Sequence, residues 1–150
     1  MLTCHTFFLQ TSVRDEVRQR TLDSLALAGA EPEAIVNCLP EQISRLVTSS
    51  ATEVIHIIQP GTIVLPEFYR AMLATLEHSG KDFVVCLDGM LSRREIIKAG
   101  DKNFNPAQVI VRRWVYQEMG IGDEAPDVLV SRVLGEYRGC EVPHMLTMRI

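Results

Sequence analysis

The chain has no long apolar run. None of its hydrophobic stretches approaches the roughly 20 residues that a helix needs to cross a bilayer, so no membrane span is expected. It has no Cys-x-x-Cys pair, its four cysteines standing far apart at 4, 38, 86 and 140. That spacing gives no zinc signature, and reduced, mostly buried thiols are expected. There is no cluster of lysines and arginines: the net charge is −4, with acids and bases interspersed. A nucleic-acid partner is not expected, because such binding rests on cations gathered against phosphates. Low-complexity tracts, internal repeats and linkers are also lacking. The first residues, MLTCHTFFLQTSVRDEV, show neither a basic leader nor a small-residue cleavage site, so no secretory signal is expected and the expected location is cytoplasmic.

What is present is ordinary for a globular protein: 150 residues, 47% hydrophobic and 23% charged. This length suits one domain over residues 1–150, and folding at this size hides about 70% of the unfolded chain's surface.

Short apolar runs alternate with amphipathic stretches. Thr6–Leu9 reads as a first strand. Ser12, with Asp15 three residues on, is placed as a capping box. Val13, Val17, Thr21, Leu25 and Ala28 then recur at helical spacing up to a stop at Gly29. Ala34–Val36 is a second strand, and Pro40 opens a short helix through Leu46. Val54–Ile58 is a third strand. A helix opening at Pro66 presents Phe68 or Tyr69, Met72, Leu73 and Leu76 inward and ends at Gly80. Phe83–Leu87, apolar throughout, is a strand buried on both faces. Between Leu91 and Ala99 helix and strand both fit, and 101–106 is a polar loop. Val109–Val111 is a strand and Arg113–Met119 a helix closed by Gly120. Pro126 opens another helix, with Val128, Val130, Val133, Leu134 and Tyr137 as its apolar positions. Cys140–Met148 is a closing strand or tail. This alternation predicts an α/β fold, Rossmann-like, with a mostly parallel sheet, helices on both faces and mixed strand directions late in the chain.

The order of motifs resembles that of the family 2 glycosyltransferases, which have the A-type nucleotide-diphospho-sugar transferase fold. The stretches that match cover nearly the whole chain. A T-x-x-R segment is present as Thr11 to Arg14, followed by Leu22-Asp23-Ser24-Leu25. The family's E-x-I-V-V-D-D strand is matched by Glu33 to Cys38. Its Asp-x-Asp is followed by a proline seven residues after the first Asp; here Gln59 holds that first place, Gly61 the second, and Pro66 follows. Arg112-Arg113, Gly120-Ile121-Gly122-Asp123-Glu124, Pro126-Asp127, Arg132-Val133-Leu134 and Gly139 follow the family's later motifs.

The resemblance implies a minimal, trimmed version of the fold that moves a sugar from a nucleotide diphosphate to an acceptor hydroxyl. It implies Asp127 as general base. Thr11, Arg14, Asn37, Gln59, Gly61, Arg112 and Arg113 would contact the nucleotide sugar, and Asp123, Glu124 and Arg132 would lie on the acceptor side. In the family the Asp-x-Asp pair grips a divalent cation. Both carboxylates are absent here, so no manganese or magnesium site is expected. Asn37 and Cys38 likewise replace the acids associated with the nucleoside.

Each of these residues also has a plainer reading. Pro60-Gly61 is a common turn dipeptide. Asp123, Glu124 and Asp127 suit a helix start. Arg112-Arg113 suits a solvated edge, and His5 and His56 suit core or rim positions with a satisfied tautomer. His144 lies earlier than the family's late metal-binding histidine. Two alternatives to a transferase stand beside it. One is a non-catalytic relative, acting as a binding or assembly module in a homo-oligomer or beside an active transferase. The other is an unrelated doubly wound protein that binds a small ligand at its strand ends.

Overall fold

The computed structural model describes residues 2–90, 96–97, 105–120, 122 and 124–150. Strand β1 (Cys4–Leu9) leads to helix α1 (Asp15–Leu27), and β2 (Ile35–Cys38) to α2 (Ile43–Ser49). Strand β3 (Val54–Ile58) turns into a short β4 (Thr62–Val64), which precedes α3 (Phe68–Ser79) and β5 (Phe83–Met90). After the two-residue β6 (Ile96–Ile97) come β7 (Val109–Arg112), α4 (Arg113–Met119), α5 (Pro126–Glu136) and β8 (Gly139–Arg149).

Among the described residues the strands form one sheet in the order β2-β1-β3-β7-β5-β8-β4, with β6 paired to β5. Neighbours β2, β1 and β3 are parallel, as are β5 and β8, whereas β7, β4 and β6 each run antiparallel to their partners. The sheet is therefore mostly parallel in strand direction, and the mixed directions fall where the strict alternation of strand and helix breaks down.

Period-two alternation divides the sheet's side chains between two cores. Phe8, Val54, Ile58, Val84, Cys86 and Ile110 face α1 and α3, where Leu25, Phe68, Met72 and Leu76 cover them. Phe7, Leu9, Ile55, Ile57, Val85, Val109 and Val111 face α2, α4 and α5. Central strands with apolar residues on both faces require helices on both faces, and these helices supply them. Within α5 the buried positions are Leu129, Val130 and Val133, while Val128 is exposed. The inward stripe is thus set by Leu129 in place of the expected Val128.

Helix α1 begins later than the capping-box pattern implies. Arg14, not Ser12, is its N-cap, and no side chain caps it. The carbonyl of Arg14 instead accepts from the amides of Val17 and Arg18 at 3.1 and 3.2 Å. Pro66 lies in the turn before α3, whose first residue is Phe68. Strand β4 carries no local sequence signal, because its partner β8 lies far along the chain. The undecided stretch from Leu91 to Ala99 lies outside the described residues except for Ile96–Ile97.

Candidate functional site

The carboxyl ends of the parallel strands gather at one edge of the sheet. Leu9 ends β1, Pro40 follows β2, Gln59 follows β3 and Arg149 ends β8. The antiparallel β4 and β7 start at this same edge, so Thr62 and the turn Pro106–Gln108 arrive there too. These segments, with Pro126 and Asp127 of α5, enclose a cleft of about 560 Å³. Open α/β sheets collect ligands at this edge because the loops there diverge and leave a crevice.

The turn Gln59-Pro60-Gly61 forms one wall. Gly61 has φ of 101°, a left-handed conformation that costs other residues strain, and its amide donates to Thr21 Oγ1 of α1 at 3.1 Å. Its carbonyl accepts from the amide of Ile150 at 2.9 Å. Both polar groups of Gly61 are thereby tied, one to a helix and one to the end of the sheet, which fixes the turn's direction. Adjoining it, Asn105 caps the 3-10 turn through Ala107 N and donates from Nδ2 to Thr62 Oγ1 at 2.7 Å.

Beneath the cleft a buried chain of hydrogen bonds joins four elements: β1, β3, α3 and the turn before β7. Nε2 of His56 lies 2.8 Å from the carbonyl oxygen of Ala107, which can only accept, so Nε2 carries the proton. Nδ1 therefore accepts from the Tyr69 hydroxyl at 2.8 Å, and Tyr69 accepts from Thr6 Oγ1 at 2.5 Å. Burial lowers the pKa of His56 to about 4, so it is neutral at pH 7. His56 is a core residue with a satisfied tautomer, and it ties the wall carrying Asn105 to β3 and α3.

Gln59, Gly61 and Asp127 line this one cleft together. Thr11 and Arg14 line a separate, more open hollow with Gln10 and Arg18. Asn37, exposed on edge strand β2, lines neither. Arg112 pairs with Val54 at the start of β3, the opposite end of the sheet from Gln59. Its guanidinium donates to the carbonyls of Lys81 and Leu76 at 2.7 and 2.9 Å, closing the C-terminal end of α3. Arg113 donates to the Ser50 carbonyl at 2.7 Å at that far end. Arg132 lies between Glu124 at 2.6 Å and Glu136 at 3.3 Å, and its hydrogen bond holds the Glu124 carboxyl below the usual range. Asp123 lies outside the described residues.

Sequence reasoning passed over Asp88 and Arg149. Asp88 is fully buried, with Oδ2 2.9 Å from Arg149 Nε and Oδ1 accepting from Thr147 Oγ1 at 2.6 Å. The available signal was an aspartate continuing the apolar run of β5 on the same side as Val84 and Cys86, a place that demands a cationic partner.

The divalent cation implied by the resemblance does not fit the residues present. Gln59 offers an amide oxygen and Gly61 no side chain, where a hard cation takes carboxylates. Among the described residues no three His, Cys, Asp or Glu side chains converge to hold a metal. Burial pushes the thiols of Cys4 and Cys86 up to about 12 and that of Cys38 to about 11, so none is a ready thiolate ligand or nucleophile.

No family model matches the chain, and no curated protein matches it in sequence. Solved structures do match in shape. TarS 1–349 of S. aureus in complex with UDP superposes with a TM-score of 0.73 at 10% identity, covering 98% of this chain and 60% of that one. The same protein in complex with UDP-GlcNAc gives 0.71 at 10% identity, covering 98% and 58%. The bifunctional IspDF of Campylobacter jejuni gives 0.60 at 6% identity, covering 94% and 49%.

The fold is nucleotide-diphospho-sugar transferase-like. The chain spans about 60% of the length of TarS 1–349. No described helix is long and apolar enough to cross a membrane.

Proposed function

We propose that the chain, as a single domain, binds a nucleotide-diphosphate sugar in the strand-end cleft and transfers the sugar to an acceptor hydroxyl. The observation that carries this reading is the meeting of Gln59, Gly61 and Asp127 on one cleft, in a fold shared with a protein solved both with UDP and with UDP-GlcNAc. The cleft has room for such a ligand, since small-molecule sites run to roughly 300–1,000 Å³.

In the transfer, the Asp127 carboxylate takes the proton of the acceptor hydroxyl while the acceptor oxygen bonds to the anomeric carbon. The bond from that carbon to the diphosphate breaks, and the nucleoside diphosphate leaves with the electron pair. Asp127 sits in the first turn of α5 and is exposed to the cleft, so an acceptor can reach it. The positive end of the α5 dipole meets the same space and favours an anionic ligand. Gln59 supplies an amide donor to a phosphate or sugar oxygen, and the tied Gly61 turn keeps that wall in place. Arg112 and Arg113 have no part in this site.

The test is turnover of UDP-GlcNAc with and without EDTA, alongside UDP affinity, in the wild type and in Asp127→Asn. Wild-type turnover that persists in EDTA is expected. The variant is expected to lose about 10²–10⁴-fold in rate, the usual contribution of a general base, with UDP affinity nearly unchanged. Equal turnover in both proteins removes Asp127 from the chemistry. A second reading, a non-catalytic binding module, is favoured by the missing carboxylates at Gln59 and Gly61. Tight UDP binding with no turnover of any sugar donor would establish it.

A further inference from the structure

The cleft contains a cation that the transfer reading leaves unused. Arg149 lines it beside Gln59, Gly61 and Thr62, and its side chain keeps 27% exposure. Its backbone lies between Thr62 of β4 and Met90 of β5. The next residue, Ile150, donates its amide to the Gly61 carbonyl at 2.9 Å. Arg149 is therefore anchored to the same turn as Gln59, next to the position where the resemblance puts a metal.

Behind it stands Asp88. Burial raises the pKa of this carboxyl, while the Thr147 hydrogen bond and the Arg149 charge pull it back. A carboxylate in an apolar strand is strongly unfavourable unless a cation meets it. The Arg149 Nε lies 2.9 Å from Asp88 Oδ2, so the ion pair draws the guanidinium toward the buried carboxylate. Thr147 and Arg149 are two apart on β8, so both side chains lie on the face of the sheet that Asp88 occupies. The positive end of α5 faces the same space through Pro126 and Asp127.

We propose that Arg149 is the fixed cation of the cleft: its guanidinium binds the diphosphate, and Asp88 is the positioning residue that holds it there. As the cation of a nucleotide-sugar site Arg149 rests on the function proposed above, but inorganic pyrophosphate tests it without the nucleoside. The charge that a hydrated metal would bring is built into the chain, and arginine suits the task because its fork matches phosphate oxygens.

The experiment is calorimetric titration, in EDTA, of inorganic pyrophosphate, UDP and uridine into the full chain. The proteins are the wild type, Arg149→Gln, Asp88→Asn and the double variant. The double variant removes the buried acid together with its partner, so it avoids a stranded charge and keeps the test open if Arg149→Gln alone fails to fold. Pyrophosphate and UDP are expected to bind the wild type and to weaken about tenfold or more in the folded double variant, a change of about 1.4 kcal/mol. Asp88→Asn alone is expected to weaken both phosphate ligands while leaving uridine binding unchanged; a parallel loss of uridine overturns the positioning role. UDP and pyrophosphate binding equally to wild type and double variant overturns the role of Arg149 and leaves the nucleotide reading standing. Pyrophosphate binding without UDP binding does the reverse. Wild-type protein that binds neither contradicts both.

Discussion

At the level of single residues, the buried imidazole of His56 links the stability of the fold to pH. Its pKa is about 6.5 in the unfolded chain and about 4 in the fold. Between those values the unfolded chain binds more protons, so stability is full above pH 6.5 and is lost as pH falls through the folded value. The difference amounts to about 3 kcal/mol between pH 7 and pH 4, at 1.36 kcal/mol per unit. Denaturant unfolding of wild type and His56→Asn at both pH values measures it. The stability gap between the two proteins is expected to shrink by about that amount at pH 4, and a gap independent of pH would mean that His56 is not held neutral. The histidine's core position was legible from its place in an apolar strand, but its partners were not. Tyr69 and Ala107 reach it only through the fold. The same limit hid the pairing of Asp88 with Arg149, whose two residues have no relation in sequence beyond opposite charge.

Among the elements, those with local signals are legible in the sequence. Val54–Ile58 and Arg113–Met119 have the same limits in the structure as in the pattern, because apolar runs and a closing glycine are local features. Strand β4 and the extension of β5 to Met90 have no local signal, because each is defined by pairing with β8, far along the chain. The start of β8 offers a test of element packing. A Cβ on Gly139 would overlap the ring of Phe83 on β5, whereas one on Gly135, in the last turn of α5, would meet nothing within 4 Å. Gly139→Ala is therefore expected to destabilise by about 1–3 kcal/mol through overpacking. Gly135→Ala is expected to stabilise by up to about 1 kcal/mol through helix propensity. Thermal melting reads both, at about 2–4 °C per kcal/mol for a chain of this size. Shifts of the same sign in the two variants would contradict the packing described for β5 and β8.

For the whole molecule, the sheet does two things at once. Its two apolar faces hold the helices, and its strand directions deliver Leu9, Gln59 and Arg149 to one cleft, which Asp127 of α5 joins. The α/β class and the helices on both faces follow from alternation alone, which any doubly wound chain would share. The cleft depends on more: a left-handed Gly61, a 3-10 turn capped by Asn105 and a salt-bridged strand end, none of which alternation specifies. The residues that the motif order grouped together are dispersed by the topology. Arg112 and Arg113 are carried to the far end of the sheet because β7 runs antiparallel to β3. That the strand-end cleft receives a nucleoside diphosphate is tested most directly by a crystal structure of the chain soaked with UDP. The expected result is a diphosphate lying between the Gln59–Gly61 turn and Asp127, within hydrogen-bonding distance of Arg149. UDP seated in the hollow at Thr11 and Arg14, or a cleft without nucleotide at saturating concentration, would contradict it.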